Sequence, residues 1–482
     1  MLTALWLLPA VAGAACMLVR DRRAARYLGV GAAVATLGLA AYLAFSFDVG
    51  ARGYQFQESL PWIPQFHAHY LLGVDGISLW MVVLNAFIGL VSVLATPART
   101  ARLSVFIGLL LLMEAGMAGL FMSTDLLLFY VFWEAMLVPA YFMIWSWGEG
   151  DRPQRAAIKF VLFTLVGSLL MLVGVVSEYA ATGARSLDLP YLASHHPSPE
   201  IQFALFFLFG IAFAIKVPIW PLHTWLPDAY MAAPTPMLLA FAGVMAKTGA
   251  YGFLRVVLPL FPHPTLWWNW TSVVPVLAVI GIVWGALLAI AQRDMKALVA
   301  YSSISHMGFI VLGIFAFNAQ GQEGAIVQMV NHGIIVPALF LIVAWIAART
   351  GTRDRRALAG LARRMPVMAG IFVVVTLAAL GLPGLNSFVG EFMTLLGAWR
   401  YDFAIAIVGT FGLIAAPVYM LRLFQGSMQG PKTVPSGEGV VDIARRELGL
   451  IAPLVALMFV LGLYPFVLTR ALPALGQVMP WR

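Results

Sequence analysis

Apolar runs of about 20 residues recur along almost the whole chain, and short polar stretches separate them. This is the length that a helix needs to cross the hydrocarbon core of a membrane. Fourteen runs predict fourteen transmembrane spans: 2–19, 26–46, 76–95, 103–122, 124–147, 158–180, 201–222, 235–258, 272–292, 297–317, 324–348, 367–399, 403–424 and 448–469. The predicted fold class is therefore an all-α integral membrane protein.

Composition agrees with this prediction. Hydrophobic residues make up 62% of the chain and charged residues only 10%, whereas soluble domains contain about 25% charged residues. Cys16 is the single cysteine, which excludes an intrachain disulfide or an iron–sulfur cluster held by cysteines of this chain. No glycine-rich phosphate loop follows a strand pattern. We therefore expect no cofactor in this chain.

The basic residues predict the orientation in the membrane. Alternate loops hold 21 of the 29 Lys and Arg, and the opposite loops hold six: Arg52, Arg185, Arg255, Arg400, Arg470 and Arg482. Because basic loops stay cytoplasmic, both termini are expected on the non-cytoplasmic side. The net charge of +8 is spread over many loops, so it indicates topology and no nucleic-acid partner. The first run resembles a secretory signal, but Arg20 to Arg26 follow it and no basic residue precedes it, which favours a retained helix.

Four histidines, His67, His69, His195 and His196, lie in the longer non-cytoplasmic loops. Paired histidines are potential metal ligands, yet no carboxylate or thiol set accompanies them in the sequence. We therefore predict solvated loop residues and no metal site.

Two predicted spans contain helix breakers beside a charge. Pro218 and Pro221 follow Lys216 in the seventh span, and Gly381-Leu382-Pro383-Gly384 precedes Glu391 in the twelfth. Corresponding breaks in two halves are typical of internally repeated transporters. Because the breaks are five spans apart, we predict two inverted five-helix repeats, spans 4–8 and 9–13. The single membrane domain, residues 1–482, would then comprise three N-terminal helices (1–100), the first repeat (103–258), the second repeat (272–424) and a C-terminal helix with a short tail (448–482).

Four ionisable residues lie inside predicted spans: Glu134, Lys216, Lys247 and Glu391. An ionised group at this depth costs about 2.5–3.5 kcal/mol and usually marks a path for ions or protons. Glu134 has no basic neighbour on its own helix, so Lys216 is the expected partner. Pairing favours the ionised forms and separation the neutral forms, so making and breaking the pair would load and discharge a proton. A static salt bridge is the alternative.

Further polar groups extend this set. His306 and His332 fall in spans 10 and 11, and an imidazole can take and pass protons near neutral pH. Each histidine alone is equally compatible with a structural hydrogen bond. Glu114, past the middle of span 4, is a weaker candidate, and Asp125 is expected at the membrane interface.

Several motifs together resemble those of the antiporter-like subunits of respiratory complex I. They are Leu72 to Leu79 (LGVDGISL), Pro221 to Ala229 (PLHTWLPDA) followed by Ala233-Pro234-Thr235, Asp294-Met295-Lys296 with Ala300 to Gly308 (AYSSISHMG), and Gly381 to Phe392 (GLPGLNSFVGEF). The resemblance covers about residues 70–470. Glu391 stands where the L- and N-type subunits usually carry lysine, and the tail is too short for an L-type lateral helix, so the M-type branch is favoured.

The resemblance implies roles. Glu134 would modulate the central Lys216, Lys247 would connect to the second half through His306 and His332, and Glu391 would release a proton to the far side. Tyr230 and Ala232 depart from the family, which frequently has histidine and glutamate there.

The resemblance also implies an assembly in the bacterial plasma membrane. NADH oxidation and quinone reduction would take place in partner subunits that carry FMN and iron–sulfur clusters. The other membrane partners would be L- and N-type antiporter-like subunits and small membrane subunits. The alternatives are a subunit of a multisubunit Na⁺/H⁺ antiporter or membrane-bound hydrogenase, which share this fold, and a stand-alone carrier or passive scaffold.

Overall fold

The structure is a computed structural model of the 482-residue chain and describes residues 1–51, 53–266, 272–431 and 440–472. Arg52, Lys432 and Arg482, which enter the charge count above, lie outside the described residues, as does the predicted tail beyond residue 472.

Helices make up most of the described backbone. In chain order they are α1 (Leu2–Leu18), α2 (Arg22–Ser46), α3 (Gly76–Ala95), α4 (Leu103–Met122), α5 (Leu126–Ala135), α6 (Leu137–Trp147), α7 (Pro153–Ala181), α8 (Leu189–Leu192), α9 (Pro199–Lys216), α10 (Trp225–Ala232), α11 (Thr235–Ala240), α12 (Lys247–Gly252), α13 (Leu258–Leu260), α14 (Pro262–Leu266), α15 (Val273–Ala291), α16 (Met295–Ile314), α17 (Ala319–Thr350), α18 (Pro366–Ala379), α19 (Asn386–Tyr401), α20 (Phe403–Met428), α21 (Arg445–Leu463) and α22 (Phe466–Thr469). Two π-helical turns, Phe241–Met245 and Phe253–Val257, flank α12. Short 3₁₀ turns occupy Pro64–Phe66, Arg355–Ala357 and Leu361–Arg363.

The prediction of a polytopic helical membrane protein is confirmed. Twelve helical segments of the described chain are long and apolar enough to cross a membrane, and α1 and α18 are shorter apolar helices. Each predicted span falls on one helix or on consecutive helices. The count of fourteen spans and the inverted repeats stay predictions.

Short polar side chains begin several of these helices. Asp21, Asp75, Asp125, Asp294 and Asp402 each accept hydrogen bonds from the first-turn N–H groups of the helix that follows. A carboxylate suits this position because the first four N–H groups of a helix have no partner within the helix. At Asp75 the capping is reciprocal, since the Ser78 side chain accepts from the Asp75 N–H.

A β-hairpin between α2 and α3 was not predicted. Its antiparallel strands are β1 (Gln55–Ile63) and β2 (Ala68–Val74), and Pro61 pairs with His69. Pro61 and Pro64 argue against a central strand, but both strands of a two-stranded sheet are edges, where proline is tolerated. The carboxylate of Glu58 on β1 accepts hydrogen bonds from the N–H groups of Leu2 and Thr3. The hairpin thus caps the first helix.

The chain divides into two compact units. Of the described residues, the first comprises 1–218, 232–273 and 470–472, and the second comprises 219–231 and 274–469. Within the first unit, α1 packs on α4 so closely that a Cβ on Gly13 would lie 2.8 Å from the Gly108 carbonyl oxygen. Within the second, α17 packs on α19, and a Cβ on Gly324 would lie 2.5 Å from the Thr394 nitrogen. Small residues permit such close helix contacts in membranes.

Candidate functional site

Helix α9 ends at Lys216, as the proline pattern predicts. Pro218 lacks a backbone N–H, and the residue before a proline avoids the helical conformation. The Lys216 side chain is 1% exposed, and its Nζ has no hydrogen-bond partner among the described residues. Nζ lies 5.3 Å from the ring centre of Trp133 and 5.9 Å from that of Phe160. Aromatic faces attract a cation but accept no strong hydrogen bond, so this ammonium is held loosely.

Glu134 also lies at a helix end. The predicted fifth span divides at Met136 into α5 and α6. Glu134 is the residue before the last in α5, which ends at Ala135. Pro139 explains the division, because it has no N–H to offer the Ala135 carbonyl. Helix α4 packs against the interruption, where a Cβ on Gly116 would lie 2.9 Å from the Met136 nitrogen. This interruption of one residue was not predicted, although Pro139 was a visible signal, and the Met136 N–H still donates to the Phe132 carbonyl at 3.3 Å.

Glu134 and Lys216 are within electrostatic range of each other, but the described residues contain no ion pair between them at 4 Å or less. Oε1 of Glu134 is buried without a hydrogen-bond partner in the described chain. Glu134 also borders an open cavity of about 240 Å³, with Thr164 and otherwise mainly apolar side chains. The two groups are therefore close but unpaired.

Lys247 begins α12, directly after a π-helical turn and one further residue. Its side chain is fully buried, and Nζ donates a hydrogen bond to the Ala242 carbonyl within that turn. A π-helical turn frequently accompanies a functional site. Gly249 lets α12 approach the end of α9, since a Cβ there would lie 2.7 Å from the Phe213 carbonyl oxygen and 3.0 Å from the Lys216 Cβ. The two predicted lysines therefore lie on adjoining elements of the first unit.

The other three predicted residues come together in the second unit. Glu391 on α19 is 1% exposed, and its Oε1 accepts three hydrogen bonds. The donors are His306 Nδ1 on α16 at 2.8 Å, Gln328 Nε2 on α17 at 3.0 Å and Ser387 Oγ at 3.0 Å. Gln328 Nε2 also lies 3.0 Å from Ser387 Oγ. We call Glu391, His306, Gln328 and Ser387 the Glu391 cluster.

His332 lies beside this cluster, with its ring centre 5.6 Å from that of His306. The Tyr419 hydroxyl lies 3.5 Å from His306 Nε2 on the opposite side of the imidazole from Glu391. Ser302, His306, Gln328, His332 and Ser387 line a cavity of about 10 Å³. Such a cavity accommodates about one water molecule, which suits proton transfer.

The interruption between α18 and α19 faces the other oxygen of Glu391. Residues 380–385 are not helical, and Gly381 and Gly384 have φ of +79° and +92°, a region that favours glycine. A Cβ on Gly381 would lie 3.0 Å from Oε2, which has no hydrogen-bond partner in the described chain. The predicted break is thus confirmed, and it leaves one carboxylate oxygen free.

Two residues of the Glu391 cluster were missed, Gln328 and Ser387. The signal was a polar residue four positions from a predicted site residue on a helix, since Gln328 precedes His332 and Ser387 precedes Glu391 by four. Such pairs share a helix face.

Buried carboxylates were also undervalued. Both oxygens of Glu114 on α4 and of Glu178 on α7 are buried without a hydrogen-bond partner among the described residues. Asp125, expected at the interface, is fully buried.

Arg255, counted above among the basic residues of the non-cytoplasmic loops, lies within a helical segment. It lies in the π-helical turn Phe253–Val257, is 5% exposed and forms an ion pair with Asp75. Burial opposes ionisation of Asp75, but the Arg255 guanidinium and the hydrogen bonds from Ser78 hold the pKa of Asp75 below its usual range. Arg255 therefore anchors the start of α3 and is not a loop residue.

The histidines of the longer loops differ from expectation in one case. His67, His195 and His196 are exposed, as predicted. His69 is half-buried, and the expectation that no carboxylates accompany these histidines is wrong, because Asp125 and Asp188 lie beside it.

Buried charges at interrupted helices are typical of ion-translocating membrane proteins, and this is the class that the fold and the site indicate. Residues 123–416 match the family described as NADH:quinone oxidoreductase/Mrp antiporter, TM. NADH-quinone oxidoreductase subunit M of Rhodobacter capsulatus is 41% identical over 458 residues, which cover 93% of this chain and 88% of that protein.

Solved structures agree. A chain of respiratory complex I from Thermus thermophilus with bound NADH superposes with a TM-score of 0.91 at 34% identity, covering 99% of each chain. A chain of the Mrp complex from Dietzia sp. gives a TM-score of 0.85 at 25% identity, covering 98% of this chain and 52% of that one. The chain belongs to the family of NADH-quinone oxidoreductase subunit M.

Proposed function

We propose that this chain translocates protons as the M-type membrane subunit of a bacterial NADH-quinone oxidoreductase. NADH oxidation and quinone reduction take place in partner subunits, which hold FMN and iron–sulfur clusters. The neighbouring membrane partners are L- and N-type antiporter-like subunits and small membrane subunits. The uneven distribution of Lys and Arg supports a plasma-membrane orientation with both termini on the non-cytoplasmic side.

The observation that carries the proposal is the state of Lys216. This lysine is buried at a helix end, has aromatic neighbours, lacks a hydrogen-bond partner in the described chain and lies near a carboxylate to which it is not paired. Nothing in this arrangement fixes one charge state, so approach or withdrawal of Glu134 changes whether a proton is held. A fixed cation also repels Na⁺, which favours H⁺ as the transported ion.

The free energy of disrupting a buried ion pair is similar to the free energy needed to move one proton across an energised membrane. Moving one charge through about 150–200 mV costs about 3.5–4.6 kcal/mol. Disrupting a buried ion pair costs about 3–5 kcal/mol. Making and breaking one Glu134–Lys216 pair is therefore enough to drive one proton against such a potential.

The later steps follow the family's order of sites. The proton passes from Lys216 to Lys247, then to the histidines of the second unit, and leaves from Glu391. Support comes from the hydrogen bond between His306 and Glu391, from the nearby His332 ring and from the cavity that they share with Ser302. Oε2 of Glu391, which faces Gly381, is the oxygen available to take the proton.

A role in an Mrp-type Na⁺/H⁺ antiporter fits less well. The chain spans only 52% of the Mrp chain that it resembles, and it carries Glu391 where the antiporter subunits usually carry lysine. A membrane-bound hydrogenase has no separate observation in its favour.

The test is proton pumping driven by NADH in inverted membrane vesicles, with assembly checked on a native gel. Lys216→Ala should abolish pumping and lower coupled quinone reduction in an intact complex. Lys216→Arg should fail as well, because a guanidinium keeps its proton. Lys159→Ala, on α7 and outside the site, is the matched control.

The Lys216→Arg variant distinguishes a lysine that takes and releases a proton from a lysine whose positive charge only stabilises the fold. If the positive charge served only the fold, Lys216→Arg would restore pumping. Near-normal pumping in Lys216→Ala would exclude the proposed mechanism altogether.

A further inference from the structure

Three segments that lie far apart in the sequence meet beside the β-hairpin. They contribute His69 on β2, Asp125 before α5 and Asp188 before α8. Backbone hydrogen bonds join the segments: Thr124 N donates to Leu71 O at 3.0 Å, and Leu126 N donates to Leu187 O at 2.8 Å. The fold therefore brings the three residues together, and the Asp125 carboxylate also accepts a hydrogen bond from the His69 N–H at 3.0 Å.

Their ligand atoms form a compact group. His69 Nδ1 lies 3.1 Å from Asp188 Oδ1, and one ligand atom of each residue lies within 4.8 Å of the other two. Asp188 does not cap its own helix α8, so its carboxylate is free to face His69. Neither aspartate forms an ion pair with a Lys or Arg in the described part of the chain. Backbone N–H groups of Leu127, Leu128 and His69 donate to the Asp125 carboxylate, and the His69 imidazole is the cationic group nearest to the two carboxylates in the described chain.

We propose that His69, Asp125 and Asp188 form a binding site for one divalent cation of the Zn²⁺ class. One imidazole nitrogen and two carboxylate oxygens are ligands that Zn²⁺ accepts, and water completes the coordination where His69 is 40% exposed. An imidazole ligand favours Zn²⁺ over Mg²⁺, which prefers oxygen ligands. Zn–N and Zn–O distances are about 2.0–2.2 Å, so the side chains would close by small rotations around the ion.

The site has a defined consequence that goes beyond proton translocation. A bound cation would tie the hairpin to the start of α5, the helix whose last turn carries Glu134. It would also join both to the segment before α8. Occupancy would therefore stiffen the end of α5 that lies opposite Glu134, with no part in the translocation steps themselves.

The experiment measures Zn²⁺ retained by the purified complex after treatment with a chelator, addition of micromolar ZnCl₂ and desalting. Metal per complex is determined by mass spectrometry in wild type, His69→Ala, Asp188→Asn and His195→Ala. His195 is an exposed histidine stacked on Tyr191 and serves as the matched control. Asp188→Asn keeps the shape and removes the charge, so it tests the site without disturbing the hairpin.

Wild type and His195→Ala should retain one Zn²⁺ more than His69→Ala and Asp188→Asn, and excess MgCl₂ should not displace it. Equal Zn²⁺ in all four proteins would overturn the proposal and leave a hydrogen-bonded His69–Asp188 ion pair. Loss in His69→Ala alone would overturn it too, because the aspartate would then not be a ligand. No turnover is measured, so the outcome is independent of the translocation proposal.

Discussion

The two candidate sites, Lys216 with Glu134 and the Glu391 cluster, differ in how many hydrogen bonds hold their ionisable groups. In the first unit, Lys216 and Glu134 sit at helix ends, lack hydrogen-bond partners in the described chain at Nζ and Oε1, and are not paired. In the second, three donors from three side chains converge on Oε1 of Glu391. The arrangement around Lys216 and Glu134 suits groups whose charge changes with their surroundings. The three donors to Oε1 instead fix the Glu391 side chain and leave Oε2 to take and release a proton.

The difference also separates function from stability. Removing the partner of a buried polar group destabilises the fold by about 1–3 kcal/mol. Removing a group that makes no hydrogen bond leaves no partner unsatisfied and carries no such penalty. Mutations in the Glu391 cluster should therefore affect folding and pumping together, and mutations at Glu134 should affect pumping alone.

The largest effect is expected for Glu391→Ala. Removing the carboxylate leaves two or three buried donors without an acceptor, a cost of about 3 kcal/mol or more. The measurement is the temperature at which the detergent-solubilised complex loses its band on a native gel. Glu134→Ala, which leaves no described donor unsatisfied, should change this temperature little while reducing pumping severely.

Glu391→Gln is the control for charge, because it keeps an acceptor oxygen at nearly the same place. It should restore most of the thermal stability but not the pumping. Equal destabilisation by Glu391→Ala and Glu134→Ala would remove the contrast between the two sites.

Features of the fold and the site could be predicted from the sequence where the residues that cause them lie next to each other in the chain. Breaks at Lys216 and before Glu391 were predicted, because proline and glycine act on their own turn of helix. The break after Glu134 was missed because a single Pro139 is compatible with a kink. The hairpin was missed because β1 contains Pro61 and the connecting turn contains Pro64, so no carboxylate partner for His69 was evident in the sequence.

The site residues that the sequence did not predict depend on tertiary contacts. Asp188 gains its role only when distant segments pack together, which no spacing along the chain reveals. The buried charges themselves could be found from the sequence, because an ionisable residue within an apolar run is a local feature.

An intermediate effect is expected for Gly249→Ala. The added Cβ would lie 2.7 Å from both the Phe213 carbonyl oxygen and Val217 Cγ2, so the end of α9 must shift. Overpacking of this kind costs about 1–3 kcal/mol, and the shift would move Lys216 relative to Glu134. Pumping per NADH oxidised should fall in vesicles.

Gly210→Ala on the same helix α9 is the matched control, because a Cβ there meets nothing within 4 Å. It should leave pumping unchanged. If both variants pump normally, the separation of Glu134 and Lys216 does not depend on the contact between α12 and α9.

The smallest effect is expected for Ser387→Ala. This change removes one of three donors to Oε1 of Glu391 and leaves those of His306 and Gln328 in place. A neutral hydrogen bond contributes about 0.5–1.5 kcal/mol, and one to a charged group about 1.5–3 kcal/mol. We therefore expect intact assembly, a small loss of thermal stability and pumping reduced severalfold.

Ser427→Ala is the control for Ser387→Ala, because the Ser427 hydroxyl is also fully buried but bonds only to backbone carbonyls of α20. Ser387→Thr, which keeps the hydroxyl, should recover part of the pumping. If Ser387→Ala instead pumped as poorly as Glu391→Ala, the three donors would act as one unit. The Glu391 cluster would then be as sensitive to a single lost hydrogen bond as the first unit's site is to the loss of the Lys216 charge.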